Sequence, residues 1–214
     1  MLDSQGESSF TALRRLAREA ARNAEEHCDL CGEPIGSAHR HLLDISKRSL
    51  LCACRACAIL FDQAAAGGGA RRLVPTRYLS LADFDIAEAQ WEGLRVPVNM
   101  AFFSHSTAAG RVVALYPGPQ GATESLLPLE TWEDLTRRNP VLTDMAPDVE
   151  ALLVNRVRDA RDYFLVPIDE CYRLVGLIRT SWTGFSGGRE VWQEIERFFT
   201  GLKERAVPLG RNNA

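Results

Sequence analysis

The chain has 214 residues, 46% hydrophobic and 25% charged, and a formal net charge of −3. That is a globular composition, long enough for one large domain or for a medium domain with a small module. The negative charge argues against a dedicated nucleic-acid binder, no apolar run approaches the roughly 20 residues of a membrane span, and the start lacks the pattern of a secretory signal.

A cytoplasmic location is the resulting expectation, and there clustered cysteines are metal ligands before they are disulfides. After a polar start, Ser8 or Ser9 can cap a helix running to Glu26, with Phe10, Leu13, Leu16, Ala20 and Ala24 on one stripe. Residues 1–26 are therefore expected to be an N-terminal helix with a frayed beginning. Residues 27–66 form a cysteine-rich module. Within it His39 to Ile45 reads as a strand, Ser46 to Ser49 as a turn and Leu50 to Ala53 as the return strand. A short helix from Ala58 to Ala66 follows, and Gly67-Gly68-Gly69 marks a boundary.

Residues 67–206 are expected to form the larger domain. Strand patterns run from Arg72 to Leu81, with Pro75 as an edge or bulge, and from Val96 to Phe103, Arg111 to Tyr116 and Leu126 to Leu129. Asp85 and Glu88 suit a capping box before Trp91 and Leu94, and Thr131 suits the cap of a helix that Pro140 ends. Further strands are expected over Val149–Val157 and Tyr163–Val166. Pro167 fits the first position of a helix whose apolar face holds Cys171, Leu174, Val175, Ile178 and Trp182. The last helix carries Val191, Trp192, Ile195, Phe198, Phe199 and Leu202 on a single stripe, and 207–214 read as a flexible tail. Strands and helices mix without regular alternation, so the class is α+β.

The chemistry is concentrated between Cys28 and Cys57. Five of the six cysteines lie there, and three of the four histidines lie in or beside it. Tetrahedral zinc needs four soft or borderline ligands, and a Cys-x-x-Cys turn presents two of them from one tight loop. Cys28-x-x-Cys31-Gly32 and Cys54-x-x-Cys57 are two such pairs, separated by 22 residues, close to the usual four-cysteine zinc spacing. Gly32 can take the left-handed conformation that the first turn requires. Cys28, Cys31, Cys54 and Cys57 are therefore the expected ligands, of Zn2+ first and of iron as the alternative.

Cys52 is the unexplained extra. It shares a strand side with Cys54 and competes with it as a ligand. His39 and His41 also share one face, and with Cys52 they form a secondary candidate metal set; His27 is a further substitute. Cys171 reads as core, since a free cysteine packs as a small hydrophobe. Ser104, His105, Ser106 and Glu124 are residue types that can build an acid–base site, but no nucleophile elbow, phosphate loop or metalloprotease helix accompanies them. Thr183 to Gly188 reads as an interhelix turn before it reads as an anion cradle.

Knuckle, hairpin, and helix with ligands in its first turn resemble a treble-clef zinc finger over about Cys28 to Ala66. Two knuckles are also similar to a rubredoxin iron site, although there the second knuckle normally ends in glycine and here Ala58 follows Cys57. The same residues resemble zinc-supported HNH nucleases, but the histidine after the last cysteine and a basic patch are missing. Within residues 1–72, ten Lys/Arg face nine Asp/Glu, too few to track phosphates.

A wider resemblance rests on Cys-Asp-Leu-Cys-Gly-Glu-Pro-Ile (28–35), His-Arg-His-Leu-Leu-Asp (39–44), Leu-Cys-Ala-Cys-Arg-Ala-Cys-Ala (51–58), Pro-Val-Asn-Met-Ala-Phe-Phe (97–103) and Thr-Glu-Ser-Leu-Leu (123–127). It continues through Asn-Pro-Val-Leu (139–142), Glu-Ala-Leu-Leu-Val-Asn-Arg (150–156) and Tyr-Arg-Leu-Val-Gly-Leu-Ile-Arg (172–179). Over about residues 28–203 the chain resembles an uncharacterised, mainly actinobacterial family whose genes often neighbour high-affinity nickel–iron hydrogenases. The resemblance implies an accessory role with a protein partner, a hydrogenase component among the candidates, and assigns no functional residues. The expected function is thus a non-catalytic metal-binding accessory protein. A rubredoxin-like electron carrier and a degenerate HNH nuclease are the alternatives.

Overall fold

Met100–Phe103 and Ala151–Val154 are apolar on both of their faces, and this decides the architecture. In a strand successive side chains point to opposite sides, so Met100 and Phe102 need one apolar layer while Ala101 and Phe103 need another. The same holds for Ala151 and Leu153 against Leu152 and Val154. Such strands belong in the middle of a sheet covered on both faces.

The structure, a computed structural model, describes residues 26–62, 68–125 and 128–210. Its elements are β1 (Glu26–His27), β2 (Pro34–Ile35), β3 (Arg40–Asp44), β4 (Ser49–Ala53), α1 (Arg55–Asp62), β5 (Arg71–Leu73), β6 (Leu79–Leu81), α2 (Glu88–Gly93) and β7 (Met100–Ser106). There follow β8 (Arg111–Gly118), β9 (Gly121–Ser125), α3 (Leu129–Arg138), a 3-10 turn (Pro140–Asp144), β10 (Glu150–Asn155), β11 (Asp162–Pro167), α4 (Ile168–Ser181), α5 (Gly188–Arg205) and β12 (Val207–Leu209). The class is α+β, as expected.

The main sheet has seven strands in the order β12-β6-β11-β10-β7-β8-β9. Every pairing is antiparallel except β12 with β6. On one face α4 and α5 lay Leu174, Ile178, Ile195, Phe198, Phe199 and Leu202 over Phe102, Leu153 and Phe164. Cys171 is fully buried in this layer, as its helical position predicts. On the other face Trp91, Leu94, Trp132, Leu135 and Leu142 cover Phe103, Leu152 and Leu165. Phe103 stacks on Trp132 with centroids 5.7 Å apart, and Trp91 meets it edge-on at 6.4 Å.

The cysteine module carries two small sheets, the hairpin β1-β2 and the three-stranded β4-β3-β5. Its own core is slight: Cys28, Leu42, Ala53, Cys57 and Ala58 are its buried members. Alternation sends the neighbour of Leu42 the other way, and Leu43 joins the large core beneath α4 and α5. Polar ties add to this seam. His41 Nδ1 lies 2.7 Å from Asp169 Oδ2, Arg48 donates to Glu124 at 3.0 Å and to Ser106 at 3.2 Å, and Arg72 donates to the Pro147 carbonyl at 3.1 Å.

Several elements differ from expectation for identifiable reasons. The continuous strand Arg72–Leu81 is two short strands in different sheets; Pro75, which has no N–H to donate, lies in the link between them. α2 begins at Glu88 rather than at an Asp85 cap, because the Asp85 N–H donates to Asn139 Oδ1 at 2.8 Å while Gln90 Oε1 accepts from the Ala87 N–H at 2.9 Å. α3 starts at Leu129, ahead of Thr131, and Pro167 closes β11 one residue before α4 instead of opening the helix. Val207–Leu209, expected in the tail, pairs in parallel with β6. Of the expected N-terminal helix only Glu26 is described, and it begins β1; residues 63–67, 126–127 and 211–214 likewise lie outside the described residues.

Candidate metal centre

The first knuckle is shaped by its backbone. β1 and β2 pair as a hairpin whose turn is Cys28 to Glu33, closed by the Cys28 N–H donating to the Glu33 carbonyl and the Gly32 N–H to the Cys28 carbonyl, both at 2.8 Å. Gly32 takes φ +76°, the left-handed conformation expected from its position after Cys31. Asp29 latches the knuckle to β4. Its N–H donates to the Cys52 carbonyl at 2.9 Å, and its carboxylate accepts from the Cys52 N–H at 2.6 Å.

The second pair sits where β4 runs into α1. Cys54 immediately precedes the helix and Cys57 lies in its first turn, where free N–H groups and the positive end of the dipole favour thiolates. The Cys57 N–H donates to Cys54 Sγ at 3.4 Å. Knuckle, hairpin and helix therefore follow in the expected order.

All four sulfurs, of Cys28, Cys31, Cys54 and Cys57, lie within 4.8 Å of one another. Cys31 Sγ is 3.7 Å from Cys54 Sγ. A tetrahedron with metal–sulfur bonds of about 2.3 Å has edges of about 3.8 Å, so this pair already stands at the ligand separation of a formed site. None of the cysteines is in a disulfide. The donor set and its spacing fit a tetrahedral, thiophilic ion.

The sulfurs are electrostatically unequal. Burial opposes ionisation of Cys28, but the backbone N–H groups of Cys54, Leu30 and Cys31 outweigh it and bring its thiol down to about 6. Burial and then the neighbouring sulfurs push Cys57 up to about 12. Four thiolates cannot coexist here without a cation, which is how a metal site differs from a cluster of core cysteines. Cys28 and Cys57 are buried, whereas Cys31 is exposed, so the cluster opens to solvent on one side.

The other candidates fall into two groups. His39, His41 and Cys52 also come together, each offering one ligand atom within 4.8 Å of the others. Cys52 is thus placed beside the histidines and outside the four-cysteine set. His105 and Glu124 do not meet. Cross-strand partners share a face, so His105, opposite Val112, lies on the α2–α3 side of the sheet, while Glu124, opposite Leu115, lies on the α4–α5 side. Glu124 is ion-paired with Arg48 at 3.0 Å and with Arg111 at 3.5 Å, and Ser104 donates to the Glu150 carbonyl at 2.9 Å. The Thr183–Gly188 segment is closed on itself by the Thr183 N–H donating to the Gly187 carbonyl at 3.1 Å.

Asp169, the partner of His41, escaped the sequence reading. It lies 128 residues away, beyond the reach of any local pattern. Asp29 is one of the two spacers in Cys28-x-x-Cys31, and nothing local shows that it reaches β4.

A family model described as a family of unknown function (DUF5947) matches residues 27–206, from the first knuckle to the end of α5. Comparison with curated proteins and with solved structures returns no match.

Proposed function

Since the chain belongs to DUF5947, a family of unknown function, its role has to be read from its own residues, and we propose a non-catalytic, metal-binding accessory protein. In this reading Zn2+ held by Cys28, Cys31, Cys54 and Cys57 folds the N-terminal module, and the module together with the α+β domain docks a protein partner in the cytoplasm. The observation that carries it is the four-sulfur cluster, gathered within 4.8 Å with one pair already at ligand separation, on a module whose own core is too small to fold it unaided. Zinc binding then supplies folding free energy directly.

The partner is proposed to be a component of a nickel–iron hydrogenase system, acting in maturation, assembly or docking. Support for that comes from the motif resemblance alone. One observation favours a second reading, an iron electron carrier: the exposed Cys31 gives a bound ion a path to a redox partner. No described helix is long and apolar enough to cross a membrane.

Metal analysis with an absorption spectrum, on protein purified from native cells, separates the two. Colourless protein whose zinc content falls in Cys31→Ala supports the structural role; a red, reducible iron protein overturns it. A pull-down from the same cells that recovers no hydrogenase component counts against the proposed partner.

A further inference from the structure

We propose that His39, His41 and Cys52 form a second metal site, separate from the four-cysteine cluster, which takes a borderline divalent transition ion such as Zn2+ with one coordination position left open. His41 and Cys52 are directly opposite across β3 and β4, so their side chains share a face. His39 is two residues before His41, and the two rings meet edge-on with centroids 4.8 Å apart. One ring nitrogen from each and the Cys52 sulfur lie within 4.8 Å of one another. Ligands of a formed tetrahedral site stand roughly 3.3–3.8 Å apart, so the three atoms are already gathered close to the distances a metal needs.

Proton placement makes both histidines ready ligands. His39 Nδ1 is 2.9 Å from the Gly36 carbonyl, with Glu26 Oε2 at 3.2 Å. A carbonyl only accepts, so Nδ1 carries the hydrogen and Nε2 carries the lone pair. That Nε2 is buried and has no hydrogen-bond partner. An unpaired buried acceptor is costly, and a bound cation removes that cost. His41 Nδ1 in turn faces Asp169 Oδ2 at 2.7 Å, the carboxylate–histidine arrangement that fixes an imidazole's orientation toward a metal. Two nitrogens and a thiolate suit zinc-like ions and disfavour Mg2+ and Ca2+, which prefer oxygen. Because Cys28, Cys31, Cys54 and Cys57 are enough to supply the four ligands of the first site, Cys52 is available for this role. His41 is 29% exposed, which leaves the open position accessible to water or an exchanging ligand. Asp169 stands at the start of α4, so the site also joins the module to the larger domain.

The test is a titration of the metal-free full chain with Co2+. Wild type is expected to take two equivalents, while Cys52→Ala and His39→Ala each take one and keep the intense thiolate-to-cobalt absorption of the four-cysteine site. Asp169→Asn is expected to keep both but to weaken the second about 10–100-fold. A single equivalent in wild type at saturation, or two in Cys52→Ala, overturns the proposal. X-ray absorption of zinc-loaded wild type needs no variant to fold: nitrogen beside sulfur in the shell is expected, and an all-sulfur shell overturns the second site. The four-cysteine reading fails separately, if Cys31→Ala leaves both equivalents in place.

Discussion

Gly32 takes φ +76°, and nothing lies within 4 Å of where a Cβ would stand, so Gly32→Ala changes backbone preference and little else. A left-handed non-glycine residue costs about 1–2 kcal/mol, and the metal-bound knuckle must bear that cost. Zinc affinity is therefore expected to fall about fivefold or more, read by competition with a chromophoric chelator. Asp44 offers a pH-dependent case. Ser46 Oγ donates to its carboxylate at 2.7 Å and the Lys47 N–H at 3.0 Å, and these bonds hold it below the usual carboxylate range. A depressed pKa stabilises the fold above the unfolded value of about 3.9, and that contribution is lost as pH falls through the folded value. Urea unfolding should show Asp44→Asn less stable than wild type at neutral pH, with the difference vanishing in strong acid. Metal release is common to both proteins and cancels in that difference. Arg77 grips the buried Glu150 carboxylate through two bonds of 2.5 and 2.7 Å. Arg77→Ala leaves that carboxylate with the Ala146 N–H and is expected to cost about 2–3 kcal/mol, below the full cost of breaking a buried pair because Arg77 is half exposed.

Among the elements, β3 has the most divided role. Leu42 faces the small module core and Leu43 the large one, so a single strand joins two hydrophobic layers. Leu43→Ala removes a side chain that is 4% exposed and is expected to destabilise the chain by about 2–4 kcal/mol. Its metal stoichiometry should be unchanged, because Leu43 touches the core and not the sulfurs. β3, β4 and α1 are expected to depend on a bound metal in a way that the main sheet does not, since two of the five buried residues of their core are proposed ligands. Hydrogen exchange after chelation should therefore accelerate first in 26–62 and last in β7 and β10.

At the scale of the molecule, the seam between module and sheet is expected to couple metal binding to the fold. Leu43 and Val74 belong to the core that α4 and α5 cover, and His41, Arg48 and Arg72 reach across it. Stripping the metal is thus expected to lower the melting temperature of the whole chain, a shift checked by following far-UV circular dichroism and tryptophan fluorescence together. A main-sheet transition that stays at its metal-bound temperature would show the module to be energetically separate.

Sequence alone determined what depends on near neighbours. The spacing of Cys28, Cys31, Cys54 and Cys57, the turn at Gly32 and the stripe from Val191 to Leu202 are local patterns, and local patterns survive without knowledge of the fold. Where long-range contacts decide, only the tertiary structure could answer. It split Arg72–Leu81 between two sheets, drew Val207–Leu209 in beside β6, set His105 and Glu124 on opposite faces, and brought Asp169 to His41 across 128 residues. It also settled where Cys52 stands. The β3–β4 register places it opposite His41, and a register is fixed by which face of a strand must be buried, a condition that belongs to the packed molecule and not to the strand.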